Sequence, residues 1–204
     1  MEALVRDVTD LEMASSMGYD SMAPYKLDAL VERVVARSEE EACRHHIAMT
    51  LTQPDLPMPA LMGHAVLITQ AVDNLISNAI KYTPEGGQVT VSTGVEGDYA
   101  VVRVGDTGYG IPPDKLEAIF EPFVRVKDPR TAHVHGTGLG LSLVKTFAET
   151  HGGHVTVRST QDVGSEFVLH LPIRLVEARP SQPKQFIQLD LSALVAHRLP
   201  LVGR

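Results

Sequence analysis

The chain has 204 residues, 44% of them hydrophobic and 21% charged, with a formal net charge of −7 at pH 7. This is a globular composition with room for one good core and a smaller appendage, and the negative balance argues against a nucleic-acid partner. The lone cysteine, Cys43, excludes an internal disulfide framework and suits a reducing compartment.

No apolar run approaches the ~20 residues that span a bilayer. Glu2, Arg6, Asp7, Asp10 and Glu12 interrupt any signal-peptide core near the start. A soluble, cytoplasmic protein is expected, with membrane attachment only through segments upstream of this chain. Nine histidines are many, but His45-His46, His133/His135 and His151/His154 lack partner cysteines or HExxH spacing. Surface histidines are expected rather than a zinc site.

In chain order, Leu4, Val8 and Leu11 stand at helical spacing, the tail of an amphipathic helix too short to be stable alone. Residues 18–24 read as a break, and a second helix is expected from about Lys26 to Arg44 on Leu27, Leu30, Val31, Val34 and Val35. Residues 47–52 alternate apolar and polar as a strand does, and Pro54, Pro57 and Pro59 end it. The next expected helix, 70–82, separates into two faces. Gln70, Asn74, Asn78 and Lys81 fall in one narrow stripe, while Ile68, Ala71, Val72, Leu75, Ile76, Ala79 and Ile80 spread over the other side. Amide oxygens are suitable ligands for Mg²⁺, and a lysine complements phosphate. The same pattern also fits a core helix with an ordinary polar face.

Pro84-Glu85-Gly86-Gly87 is a turn, followed by strands at 88–95 and 99–106 joined by a hairpin at Glu96-Gly97-Asp98. Residues 107–140 are loop-rich, with one short helix expected at 114–119; loops this long in a compact domain are usually functional or disordered. A helix at 141–150 stops at His151-Gly152-Gly153, and strands at 154–159 and 165–172 follow. Beyond Arg174 the chain turns linker-like, and 186–202 carries apolar residues with no partner element. Alternating strands and helices, with a polar stripe that needs an apolar sheet behind it, predict an α/β fold.

Two glycine stretches bear on chemistry. Gly105-Asp106-Thr107-Gly108-Tyr109-Gly110-Ile111 lies where a strand ends, and glycine there admits positive φ and close backbone approach to a ligand. A carboxylate so placed accepts a hydrogen bond from an exocyclic amine; a plain tight turn fits the same letters. Gly136-Thr137-Gly138-Leu139-Gly140-Leu141 opens directly into a helix, whose exposed N–H groups form an anion site. Neither stretch matches GxxxxGK[ST] or GxGxxG, and HRD and DFG segments are absent, so P-loop NTPases and eukaryotic-type kinases are poor readings.

Together these residues resemble the catalytic ATP-binding domain of sensor histidine kinases, in the superfamily shared with gyrase, Hsp90 and MutL. NLISNAIKYTPEGG is similar to the N box, DTGYGI to the first glycine box, FEPFVR to the F box and GTGLGLSLVK to the second glycine box. The resemblance implies a two-layer α/β sandwich (the Bergerat fold), a mixed sheet with helices on one face. It implies three regions: 1–18 as the end of a dimerisation hairpin helix, 19–174 as the catalytic domain, and 175–204 as a tail without a family counterpart.

Carried over, the resemblance gives Asn78 the Mg²⁺ ligand role with Asn74 assisting, and lays Lys81 and Tyr82 along the phosphates and ribose of ATP. Asp106 holds the adenine amino group, with Gly108, Gly110 and Ile111 admitting the base. Phe120 and Phe123 anchor a mobile lid over roughly 112–135, and Arg125 or Lys127 reaches phosphate. Gly136, Thr137, Gly138, Leu139, Gly140 and Leu141 cap the triphosphate. Asn78 and Lys81 are the expected catalytic residues. His64 and Leu67 stand where the family has an acidic and a basic residue.

No histidine here has the family's H-E-x-x-x-P setting, so the phosphoacceptor is expected on a hairpin outside this chain, with a response regulator receiver domain as the indirect partner. Phosphotransfer to that histidine is the leading expectation. A serine kinase or ATPase of the same superfamily, or a regulatory domain without kinase activity, is the alternative. Asn74 occupies the place where hydrolysing relatives carry a carboxylate, and an amide cannot take a proton from water.

Overall fold

The computed structural model describes residues 22–173, apart from 56, 57, 133 and 135. The elements run β1 (Ala23–Tyr25), α1 (Leu27–Arg44), β2 (Ala48–Thr52), β3 (Leu61–Gly63), α2 (Ala65–Tyr82), β4 (Gln88–Glu96), β5 (Tyr99–Asp106), α3 (Gly140–Thr150), β6 (His154–Thr160) and β7 (Gly164–Pro172). The main sheet has the order β2-β4-β5-β7-β6. Only β2–β4 is parallel; the other three pairings are antiparallel. This is the expected mixed sheet under a layer of helices.

Alternation along the strands builds the core. Val89, Val91, Ala100, Val102, Val104, Phe167, Leu169 and Leu171 face the helices and are buried. Leu67, Ile68, Ala71, Val72, Leu75, Ile76, Ala79 and Ile80 of α2 pack down on them. Each buried Leu, Ile or Val contributes about 1.5–3 kcal/mol, enough to fix the rotation of α2 and hold its polar stripe outward, whatever the stripe's own preference.

α2 begins at Ala65, five residues before the expected start. His64 precedes it with extended backbone and makes no side-chain cap, so the usual Ser, Thr, Asp or Asn signal is missing there. A different tie holds this junction. His64 N–H donates to His151 Nε2 at 2.9 Å, and His151 Nδ1 lies 2.7 Å from the Phe147 carbonyl. His151 therefore carries its proton on Nδ1 and joins the end of α3 to the start of α2.

The expected break at 18–24 is corrected in part. β1 and β3 form a separate two-stranded antiparallel sheet, pairing Ala23 with Gly63, Pro24 with Met62 and Tyr25 with Leu61. Pro24 is tolerated because a two-stranded ribbon leaves each strand an open edge. The single helix expected at 114–119 is instead two 3₁₀ turns, Pro113–Lys115 and Ala118–Phe120. With Pro122 ending the stretch, only eight residues follow Pro113, a length at which an α-helix is marginal. The expected hairpin-helix end at 1–18 and the tail at 175–204 lie outside the described residues.

Candidate nucleotide site

The C-terminal half of α2, the end of β5 and the start of α3 meet at one place. Asn74, Asn78 and Tyr82 are half-buried and Lys81 is exposed along the stripe. α3 enters from across the gap, and Gly140 is its first residue. A Cβ on Gly140 would stand 3.4 Å from Asn74 Oδ1 and 3.9 Å from Asn78 Nδ2. The first residue of α3 and two amides of α2 thus converge, although 62 residues of sequence separate Asn78 from Gly140. The oxygens of neutral amides beside a helix N-terminus suit a hydrated Mg²⁺ carried in with a polyphosphate.

Leu139 caps α3 from a fully buried position. Its carbonyl accepts from Leu143 N–H at 2.9 Å and from the Ser142 hydroxyl at 2.8 Å, and its N–H donates to Thr137 Oγ1 at 3.2 Å. Gly138 takes φ +77°, and a Cβ there would fall 2.8 Å from the carbonyl carbon of Phe123. That close approach is used: Phe123 N–H donates to Gly138 C=O at 2.9 Å. Phe123 itself sits at φ +65° with its ring exposed, so its backbone fastens the lid here. Phe120 anchors by packing, edge-on to Phe167 with ring centres 6.4 Å apart. Leu141 and Ile111 pack against the rim of the core.

At the other end, Asp106 Oδ1 accepts from Gly108 N–H at 2.8 Å and from Ser165 N–H at 3.3 Å. Burial raises the Asp106 carboxyl above its ordinary range, outweighing those N–H groups, which favour the charged form. Gly108 lies so close to the Tyr82 carbonyl that no side chain fits, and Tyr109 N–H donates to that same carbonyl at 3.1 Å. Gly110 takes φ +64° against the Thr160 carbonyl, and Ile111 N–H donates to Ser159 Oγ at 2.8 Å. The first glycine box is therefore stitched to α2 on one side and to the β6–β7 turn on the other.

Arg125 spends its guanidinium inside the lid, donating to the Val134 carbonyl at 2.6 Å and, more weakly, to Gly136 at 3.4 Å. Sequence reasoning singled out neither Ser159, Ser165, Arg130 nor Asp162. Arg130 pairs with Asp162, 32 residues on, at 2.7 Å, and no local pattern marks such a partner. Among the described residues, the open face of the sheet holds a shallow polar depression bounded by Glu96, Arg103, Thr156, Arg158, Glu166 and His170. Glu96 pairs with Arg103 there, and no amides or glycine N–H groups converge on it.

The sequence matches the family of histidine kinase-, DNA gyrase B- and HSP90-like ATPases over residues 63–175, and the chain belongs to that family. Within it, the chain carries the ATP-binding catalytic domain of a sensor histidine kinase. The sensor protein TorS of Escherichia coli is 40% identical over 157 residues, which cover 76% of this chain and 16% of TorS. The sensor histidine kinase AtsR of Burkholderia thailandensis is 35% identical over 210 residues, 96% of this chain and 34% of AtsR. The chain thus spans about a third or less of the length of these relatives. Among solved structures, the nucleotide-free catalytic domain of histidine kinase ThkA superposes with a TM-score of 0.65 at 27% identity, covering 75% of this chain and 96% of that one. Full-length ShkA in complex with AMPPNP gives 0.72 at 28% identity, covering 86% of this chain and 36% of that one.

Proposed function

We propose that this domain binds Mg–ATP and passes the γ-phosphate to a histidine on a dimerisation hairpin outside the chain, for onward transfer to a receiver domain. The observation that carries the reading is the convergence of Gly140 on the Asn74 and Asn78 amides, with the half-buried carboxylate of Asp106 at the end of β5 beside the last residue of α2, Tyr82, through Gly108. The ShkA complex with AMPPNP and the sensor-kinase relatives support it.

Asn78, assisted by Asn74, would hold Mg²⁺, which when bound neutralises charge on the phosphates. Asp106 accepts from the adenine amino group, while Gly108 and Gly110 clear space for the base. Lys81 and the backbone N–H groups of the 136–141 stretch face the phosphates and favour the charge that spreads onto their oxygens during transfer. A neutral imidazole nitrogen on the incoming hairpin forms the N–P bond as the bond from the γ-phosphorus to the bridging oxygen breaks, and ADP leaves with the electron pair. Positioning supplies most of the rate. Asn74, an amide, offers no base to activate water, which disfavours hydrolysis as a competing path.

Calorimetry with ATP and GTP, each with and without Mg²⁺, tests the reading. ATP should bind roughly ten- to a hundredfold more tightly than GTP, because guanine presents a carbonyl to Asp106 and an unpaired buried polar group costs ~1–3 kcal/mol. Equal affinities would remove Asp106 from the site.

A further inference from the structure

We infer that Arg130 is a positioning residue for the nucleotide, fastening the tip of the lid to the wall of the base slot before any ligand arrives; this rests on the function proposed above. Arg130 lies on a 3₁₀ turn, Pro129–Thr131, capped by Asp128, whose Oδ1 accepts Arg130 N–H at 2.8 Å. The Asp128 carboxylate also takes the guanidinium side-on, with Nε to Oδ1 at 3.0 Å and Nη2 to Oδ2 at 2.6 Å. Held in that plane, the guanidinium has one edge and one face left, and both are used outside the lid. Nη1 donates to Asp162 Oδ1 at 2.7 Å on the β6–β7 turn, and Cζ stands 4.7 Å over the centre of the Tyr109 ring.

These two partners are themselves joined. Asp162 N–H donates to the Tyr109 carbonyl at 2.8 Å, and Tyr109 N–H donates to Tyr82 at the end of α2. One side chain therefore ties the lid both to the first glycine box and to the β6–β7 turn that flanks it. A separate fastening, Phe123 N–H to Gly138 C=O, lies beside the start of α3, so the lid is tied at its tip as well as there.

A single exposed ion pair adds little. Here the Asp128 fork has already oriented the guanidinium, so less freedom is lost when Asp162 and Tyr109 engage it. A lysine has neither the fork nor the flat face. Apparent affinity equals intrinsic affinity multiplied by the fraction of molecules already competent. Releasing the tip should therefore weaken binding without altering any group that touches ATP.

The test compares the parent chain with Arg130→Ala, Arg130→Lys, Asp162→Asn and Tyr109→Phe, by hydrogen exchange without nucleotide and by calorimetry with Mg–ATP. Arg130→Ala should speed exchange across 113–132 by roughly tenfold, leave β4 and β5 unchanged, and weaken ATP binding by roughly fivefold. Arg130→Lys should resemble Arg130→Ala, Asp162→Asn should fall between, and Tyr109→Phe, which keeps the ring face, should match the parent. Raising salt from about 50 to about 500 mM should speed lid exchange in the parent and not in Arg130→Ala. Unchanged lid exchange in Arg130→Ala, or an equal salt response in both, overturns the latch. Faster exchange with parental ATP affinity overturns the positioning role. Should the parent bind no ATP, the proposed function fails, while the ligand-free exchange still decides the latch.

Discussion

At Asp106 two effects oppose each other: burial favours the neutral acid, while the Gly108 and Ser165 N–H groups favour the carboxylate, and burial wins. The folded pKa is thus raised above the ordinary 3.8. Its contribution to stability is greatest below the unfolded pKa and is lost as pH rises through the folded one. At neutral pH the chain holds a charged group where a neutral one would be easier to bury, and the charge serves binding. Asp106→Asn should therefore melt no lower than the parent at neutral pH, yet bind ATP at least tenfold more weakly, because the Gly108 and Ser165 N–H groups claim the amide oxygen and leave its NH₂ facing the adenine donor. In the parent, ATP affinity should fall as pH drops through the raised pKa and an acceptor is lost; a pH series by calorimetry checks this. Asn78 makes a complementary case. Its side chain faces Gly140 rather than the core, so Asn78→Ala should keep the parental circular dichroism while losing the Mg²⁺ contribution to ATP affinity. Unfolding of that variant would place the residue among the packing groups instead.

The lid differs from the rest of the domain in what holds it. Ile119, Thr131 and Val134 are buried, and Phe120 and Val126 pack against the core, but many of the remaining ties are hydrogen bonds and ion pairs at or near the surface, which open at low cost. Exchange across 113–132 should be faster than in α2 without nucleotide, the latch notwithstanding, and at least tenfold slower again with Mg–ATP; equal rates in the two states would count against a gating lid. α3 has the opposite character. Leu143, Val144, Phe147 and Ala148 are buried and its end is tied to α2 through His151 and His64. Phe147→Ala should cost about 3–5 kcal/mol, seen as a lowered urea midpoint with an unchanged slope.

For the whole molecule, the helices occupy one face of the sheet, and the candidate site lies within that layer, where the C-terminal half of α2 meets the start of α3. A histidine-bearing hairpin would have to approach that site. The purified chain should bind ATP yet take up almost no label from γ-labelled ATP, since none of its histidines has the expected acceptor setting. Added hairpin from a related kinase should acquire acid-labile, alkali-stable label in trans. Alkali-stable label on this chain alone would show an acceptor within it, and acid-stable label on a partner serine would favour the serine-kinase alternative.

Much of this was legible because local periodicity and glycine placement carry it. The two faces of α2, the alternating strands β4 to β7 and the helix opening at Gly140 all follow from spacing within a few residues. Other features needed tertiary contacts. The β1–β3 ribbon joins segments that are each three residues long, below any reliable periodic signal, and contains a proline that argues against a strand. α2 starts at Ala65 because the His64 N–H is met by His151, 87 residues away, in place of a local cap. The approach of Gly140 to Asn74 and Asn78, and the pairing of Arg130 with Asp162, depend on how α3 and the β6–β7 turn sit against α2 and β5. Residue types and spacing determined which groups were available; only the packing of helices on the sheet decided which of them meet.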